Sequence, residues 1–304
     1  MPIIIPKDLP AFSSLSSENI FVMDTLRAYS QDIRPIEIAI LNLMPTKVET
    51  ETQLLRLLSN SPLQTNVTFI STATYMPTHI SSDHMQKFYN SLDEVCKRKF
   101  DGMIVTGAPV ETMEFEDVAY WDEMVRIMDF ADKNVTSTIY ICWGAQAALY
   151  HFHGIGKKML NNGKKLSGIF PAKACEANDP LLKGMDDVFM IPHSRYTEAN
   201  QEEIRACKDI KVLADSAEAG ICIAKTLDNK RIYLTGHSEY DRDTLKKEYE
   251  RDLSRGLDIA PPANYFDKDG KIAVTWRSTA NLIFYNWLNY YVYQVTPYDI
   301  EKIN

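Results

Sequence analysis

Between Ile36 and His153 the chain alternates short β-branched runs with longer amphipathic stretches, a pattern that few folds can absorb. IEIAILNL (36–43) reads as a strand and KVETETQLLRLLSN (47–60) as a helix. NVTFIST (66–72), a helical stretch over 82–98, DGMIVTG (101–107), a helix around 119–132, TSTIYIC (136–142) and a helix from about Gly144 to His153 follow. Strands that are apolar along their whole length need cover on both faces, so the expected fold is α/β: a mostly parallel central sheet flanked by helices. After Gly154 the strands shorten and lose their intervening helices: LSGIFPAKA (166–174), DVFMI (187–191), KVLAD (211–215), GICIAKT (220–226) and RIYLTGH (231–237). That half reads as mixed or antiparallel. Extra C-terminal helices are expected at Thr244 to Arg255 and Thr279 to about Tyr293. The second is apolar around most of its circumference and so must be buried or lie in a subunit contact. Residues 1–34, with three prolines, read as an N-terminal arm holding a helix that begins after Ser16 or Ser17. Residues 35–297 read as a single α/β domain and 298–304 as a C-terminal tail.

Charge and cysteine usage narrow the function. Asp+Glu outnumber Lys+Arg by 41 to 33, a net charge of −8, which argues against a mainly electrostatic grip on nucleic acid or anionic lipid. The five cysteines (96, 142, 175, 207, 222) are odd in number and contain no C-x-x-C pair, so neither a disulfide framework nor a metal site is expected. The opening Met1-Pro-Ile lacks a basic n-region, and no apolar run reaches the roughly 18 residues a membrane span needs. A cytoplasmic protein with no membrane association is the expectation.

The sharpest chemical feature is Ile139-Tyr140-Ile141-Cys142-Trp143-Gly144-Ala145-Gln146, a buried strand ending in cysteine before small residues that open a helix. In such a nucleophile elbow the small residues let the backbone bend and the helix approach the sheet, and NH groups at the helix start favour a thiolate and can hold an oxyanion. A lone cysteine is more often a small buried hydrophobe. The balance shifts with a second strand-end motif, Gly236-His237-Ser238-Glu239, which supplies a base and, two residues on, a carboxylate to fix its tautomer. His151 and His153 lie two apart on a helix and read as packing residues. The lysines at 157, 158 and 164 read as a solvated loop.

Cys142-x-Gly-x-Gln146 followed by His237-x-Glu239 is similar to the class I glutamine amidotransferase fold, in which a Cys-His-Glu triad sits on an α/β sheet. One position departs, since the glycine usual two residues before the cysteine is Tyr140 here. A fuller match comes from Asn42-Leu-Met-Pro-Thr-Lys47, Thr106-Gly-Ala-Pro109, Ile141-Cys-Trp-Gly-Ala-Gln146, Lys165-Leu-Ser-Gly168, Pro192-His-Ser-Arg-Tyr196, Gly236-His-x-Glu-Tyr-Asp241, Asn264-Tyr-Phe266, Trp276-Arg-Ser278 and Asn286-Trp-Leu-Asn-Tyr-Tyr-Val-Tyr-Gln294. These nine motifs, in order, resemble the homoserine O-acyltransferases of methionine biosynthesis.

The resemblance implies a cytoplasmic homodimer, with no permanently bound cofactor, that moves an acyl group from acyl-CoA to the hydroxyl of L-homoserine. Cys142 would carry the acyl group as a thioester, His237 would accept the proton and Glu239 would orient His237. Lys165, Ser194 and Arg251 match substrate-binding positions. Arg251 can clamp a carboxylate and Ser194 can offer a hydroxyl, while for Lys165 the coenzyme and the amino acid both stay open. Glu111 stands where glutamate implies acetyl-CoA and glycine implies succinyl-CoA as donor, in keeping with repulsion of the succinyl carboxylate. The oxyanion donors expected are the amides of Trp143 and Leu43. Homoserine O-succinyltransferase activity, and after it glutamine hydrolysis, are the alternative readings.

Overall fold

The computed structural model describes residues 3–18, 20, 22–24, 28, 34–74, 81–160, 163–297 and 303. In chain order its first half contains β1 (Ile3–Ile4), α1 (Pro10–Ser17), β2 (Val22–Met23), β3 (Ile36–Leu41), α2 (Lys47–Leu58), β4 (Thr65–Ile70), α3 (Ser82–Phe88), β5 (Tyr89–Asn90), α4 (Leu92–Val95), β6 (Phe100–Val105), α5 (Trp121–Asn134), β7 (Val135–Ile141) and α6 (Trp143–His153). The second half adds β8 (Lys157–Met159), β9 (Leu166–Ala174), β10 (Val188–Arg195), β11 (Thr197–Ala199), α7 (Gln201–Ala206), β12 (Ile210–Ser216), β13 (Gly220–Thr226), β14 (Arg231–Leu234), α8 (Thr244–Ser254) and α9 (Arg277–Asn286), which runs into a π-helix, Trp287–Tyr293.

One sheet runs β10–β9–β12–β13–β14–β7–β6–β3–β4–β1–β2, with β5 also paired to β4. From β14 to β2 every pairing is parallel, and from β14 to β10 every pairing is antiparallel. The change of pairing therefore falls at β14, as the loss of intervening helices after Gly154 implied. β14 lies parallel beside β7 with Ile141 opposite Leu234, so the residues that follow both strands emerge at the same edge of the sheet. That register brings Cys142 and the 236–239 loop together.

The elements follow from their sequences. β6 is buried at every position, and α5 turns Trp121, Met124, Ile127, Met128 and Ala131 inward at helical spacing. α6 ends at Gly154, whose φ of 66° closes the helix with its N–H on the Tyr150 carbonyl at 2.8 Å. Gly102 in β6 makes room for the last helix, because a Cβ there would stand 2.8 Å from the Trp287 ring. Trp287 is fully buried and donates from Nε1 to Ser137 Oγ at 3.1 Å. The apolar closing stretch is thus packed on the sheet through one side, while Tyr293 stays exposed.

Several boundaries differ from the sequence reading. Within the 1–34 segment, β1 inserts between β4 and β2, and Ile3, Ile4 and Ile5 are buried. Helix α1 ends at Ser17, where the sequence reading began one. Pro10 stands in its first turn, where a missing N–H costs nothing, and Ser16 Oγ donates back to the Phe12 carbonyl at 2.7 Å. The helix expected over 82–98 is broken by β5 and restarts at Ser91, where a capping box with Glu94 opens α4. β8, β11 and α7 are too short to carry a periodic signal. The tail called at 298–304 lies, apart from Ile303, outside the described residues.

Candidate active site

Cys142 is the residue between β7 and α6, and it is held at φ 50°, ψ −114°. A non-glycine residue in such a conformation costs about 1–3 kcal/mol and persists only where its surroundings over-determine it. Here they do. The Cys142 N–H donates to the Leu234 carbonyl of β14 at 2.7 Å, and its carbonyl accepts from Gln146 N–H at 3.1 Å to start the helix. Gly144 is obligatory at this approach, since a Cβ would lie 2.7 Å from the Thr106 carbonyl oxygen. Gly107 closes over the site from β6, and a Cβ there would be 3.3 Å from both Cys142 Cβ and His237 Cε1.

His237 follows β14 and is anchored by its N–H on the Pro192 carbonyl at 2.8 Å. Gly236 permits this, because any side chain would strike Ile191 and the Pro192 carbonyl. The imidazole Nδ1 meets Glu239 Oε1 at 2.7 Å, and Cys142 is the ring's other electrostatic partner, the two side chains meeting beside Gly107. Burial pulls the His237 pKa down. The opposing charges of Cys142 and Glu239, with the hydrogen bond to Glu239, push it well above the usual histidine value. The constellation is a buried Cys–His–Glu array, with an imidazole set between a thiol and a carboxylate.

A second cluster stands beside it. Ser194 on β10 donates to Glu248 Oε2 at 2.5 Å, and Tyr240 donates to Glu248 Oε1 at 2.8 Å. Lys165 Nζ reaches Asp252 Oδ2 at 2.8 Å and Glu248 Oε2 at 3.7 Å, and Arg251 Nε donates to Asp252 Oδ1 at 2.8 Å. Burial works against the charge on Asp252, but the hydrogen bonds from Lys165 and Arg251 hold its pKa below the usual carboxylate value. Lys165, Ser194 and Arg251 are therefore brought together by Glu248 and Asp252, neither of which the sequence reading singled out. A cleft of about 240 Å³ lined by Lys165, Ser167, Tyr249 and Asp258 opens alongside.

Glu111 lies in the loop after β6, with Oε2 accepting from the Tyr196 amide at 2.9 Å, the Thr197 amide at 3.2 Å and the Thr197 hydroxyl at 3.3 Å. Burial raises its pKa, against those amides and the positive fields of Lys165 and His237. Lys157, expected as part of a solvated loop, instead donates to the Glu111 carbonyl at 2.7 Å and to the Met113 carbonyl, so it pins this loop.

The expected oxyanion donors fare differently. Trp143 is the first residue of α6, so its amide is one of the helix-start donors with no intrahelical acceptor. The Leu43 amide already donates to Thr106 Oγ1 at 2.7 Å and is not free for an oxyanion in this structure. The sequence offered no sign of that bond, because Thr106 lies on another strand's end. Lys47 anchors the same loop from within, with Nζ 2.5 Å from the Asn42 carbonyl and a pKa that burial lowers to about 8. His193 is fully buried behind Gly236, and burial drops its pKa well below the usual value.

Tyr140 is buried in β7 and stacks on Tyr233 of β14, so the position that departs from the amidotransferase pattern is filled by core packing. His151 and His153 diverge as expected, the first to Asp129 at 2.8 Å and the second to the Tyr233 hydroxyl at 2.9 Å. His153 also meets Cys207 and Asp209 within 4.8 Å, at the far end of α6 from Cys142.

The model of the homoserine O-succinyltransferase family matches residues 2–298. The chain belongs to that family. Its relatives within the homoserine O-succinyltransferase family span the full length. A homoserine O-acetyltransferase of Acetivibrio thermocellus is 54% identical over 306 residues, covering all of both chains. One of Geobacillus kaustophilus is 56% identical over 304 residues, covering 99% of this chain and all of the other. Among solved structures, a glutamine amidotransferase from Thermotoga maritima matches with a TM-score of 0.52 at 10% identity, over 84% of this chain and 98% of that one. Another from Methylobacillus flagellatus gives 0.51 at 12% identity, over 84% and 95%. These likenesses bear on the fold alone, a class I glutamine amidotransferase-like sheet.

Proposed function

We propose that this chain is a homoserine O-acetyltransferase that works through an acetyl thioester on Cys142. The acyltransferase assignment rests on family membership and on full-length relatives that carry this name. The observation that carries the mechanism is the Cys142–His237–Glu239 array at the elbow, with the Lys165–Ser194–Glu248–Arg251 cluster beside it.

The Cys142 thiolate attacks the carbonyl carbon of acetyl-CoA. The tetrahedral oxyanion is met by the Trp143 amide, the carbon–sulfur bond to the coenzyme breaks, and CoA leaves as the thiol with the proton held on His237. His237 then takes the proton from the homoserine hydroxyl as its oxygen attacks the acetyl-cysteine, and the thiolate departs with O-acetyl-L-homoserine formed. A zwitterionic acceptor needs one anion and one cation to receive it. Glu248 and Arg251 are three residues apart on α8 and so share a face, which suits the ammonium and carboxylate of homoserine. Lys165 belongs with this acceptor cluster, since its ammonium sits against Asp252 and Glu248. Glu111 selects the acetyl donor.

No helix among the described residues is long and apolar enough to cross a membrane. Cytoplasmic location is part of the proposal, supported by five cysteines that are all free. So is assembly as a homodimer, which the family resemblance supports.

The direct test is intact-protein mass after brief exposure to acetyl-CoA or succinyl-CoA, before and after adding L-homoserine. An acetyl adduct on Cys142 that homoserine discharges is the expected result, and absence of any adduct would refute the acyl-enzyme. Glu248→Gln is expected to raise the KM for homoserine about tenfold, the cost of weakening one hydrogen-bonded charge contact, while acetylation by acetyl-CoA keeps its rate. An unchanged KM would remove Glu248 from the acceptor site.

A further inference from the structure

Tyr240 spans the two halves of the site. Its ring stacks on the His237 imidazole, with centroids 4.2 Å apart and planes 19° from parallel. Its hydroxyl donates to Glu248 Oε1, while Ser194 holds the other carboxylate oxygen. The backbone is fixed as well: the Tyr240 N–H bonds the His237 carbonyl at 3.2 Å, and the Tyr240 carbonyl accepts from Trp276 Nε1 at 2.9 Å. The side chain is buried with Ile169, Leu245, Tyr265 and Trp276.

Neither contact is explained by packing alone. A phenylalanine would fill the same volume, so the hydroxyl is accounted for by its bond to Glu248. An imidazole bonded to Glu239 through Nδ1 can still tip about that bond, and a flat ring against its face removes this freedom. The residue that restricts the base is thus also the one that orients the carboxylate facing the acceptor. Glu248 in turn lies one helical turn from Arg251, so its orientation sets the spacing available to an amino-acid zwitterion.

We propose that Tyr240 is a positioning residue for both half-reactions: its ring holds the plane of His237 toward Cys142, and its hydroxyl presets Glu248 for the acceptor's ammonium group. The proposal rests on the acyl-transfer reading above, and its two arms separate. The ring acts when acetyl-CoA loads the cysteine and again when the acceptor is deprotonated. The hydroxyl acts only once the acceptor is bound.

The experiment compares wild type with Tyr240→Phe, Tyr240→Leu and Tyr240→Met, each checked for fold by circular dichroism. Release of CoA thiol in a single turnover with acetyl-CoA reports the first half-reaction, and the steady-state KM for L-homoserine reports the acceptor site. Tyr240→Phe is expected to acetylate within about twofold of wild type while its homoserine KM rises about tenfold, because one charge-assisted hydrogen bond is lost. Combined with Glu248→Gln it should add little further, since the hydroxyl acts through that carboxylate. The leucine and methionine variants, with no flat face, should also acetylate about tenfold more slowly. An unchanged KM in Tyr240→Phe, full additivity with Glu248→Gln, or wild-type acetylation in a folded non-aromatic variant would overturn the proposal. A wild-type protein that releases no CoA thiol would instead overturn the acyl-transfer reading on which it stands.

Discussion

Cys142→Ala is expected to lower turnover of acetyl-CoA and homoserine by about ten-thousandfold or more, to abolish the acetyl adduct and to leave the fold intact. The sulfur is the only atom removed. The strained backbone at φ 50° is imposed by the Leu234 and Gln146 hydrogen bonds and by the close seat of Gly144, none of which involves the thiol. Alanine therefore inherits the same elbow. The substitution also removes one of the two negative partners that hold the His237 pKa up, leaving Glu239. In the alanine variant the imidazole should titrate at lower pH than in wild type, a shift that nuclear magnetic resonance of the ring nitrogens reads directly. Turnover within tenfold of wild type would remove Cys142 as the nucleophile. An unmoved His237 titration would mean that the two side chains do not share a proton.

How much of this was legible in the sequence depends on how local each signal is. The elbow was legible because a β-branched strand, a cysteine and two small residues lie within eight consecutive positions. His237 and Glu239 were legible for the same reason, as a glycine-flanked pair at a strand end. Glu248 and Asp252 were not. On α8 they look like two more charges in TLKKEYERDLS, a helix whose composition suits a solvated face. Only the placement of α8 beside β10 and Lys165 gives them buried partners. Tyr240 is similar, since nothing in Gly-His-Ser-Glu-Tyr distinguishes a ring that stacks on its neighbour from one that fills core. The fold obeyed the same logic. Long periodic segments such as β7 and α5 were placed within a residue or two. The two-residue strands β1 and β2 carry too few positions for any period, and they joined the sheet only because β4 left an edge to pair with. The helix after Ser82 is broken where Ser91 and Glu94 form a capping box, a four-residue signal that the longer helical periodicity over 82–98 hides.

Glu111→Gly is expected to change the ratio of succinyl to acetyl transfer by about a hundredfold or more in favour of succinyl, the scale of a like-charge clash relieved in a confined site. In the present arrangement the Glu111 carboxylate is fixed at Oε2 by the amides of Tyr196 and Thr197 and by the Thr197 hydroxyl, and Lys157 holds the loop behind it. A succinyl donor would bring a second carboxylate toward a position already filled and already negative. Removing the side chain does more than open space. It releases two amides and a hydroxyl that were bonding a carboxylate, and the terminal carboxylate of a succinyl group is the same chemical object. Left dry, those donors would each cost about 1–3 kcal/mol, so the variant should be less stable until an acyl group or water satisfies them. This gives the prediction a second, independent arm: in the Glu111→Gly background, Thr197→Val should cut succinyl transfer several-fold and leave acetyl transfer nearly untouched. The acyl-donor ratio of the two variants, measured as kcat/KM with each coenzyme ester, checks both arms. A ratio that does not move in Glu111→Gly would show that the glutamate only braces its loop. A Thr197→Val effect equal on both donors would mean that the vacated amides do not receive the succinyl carboxylate.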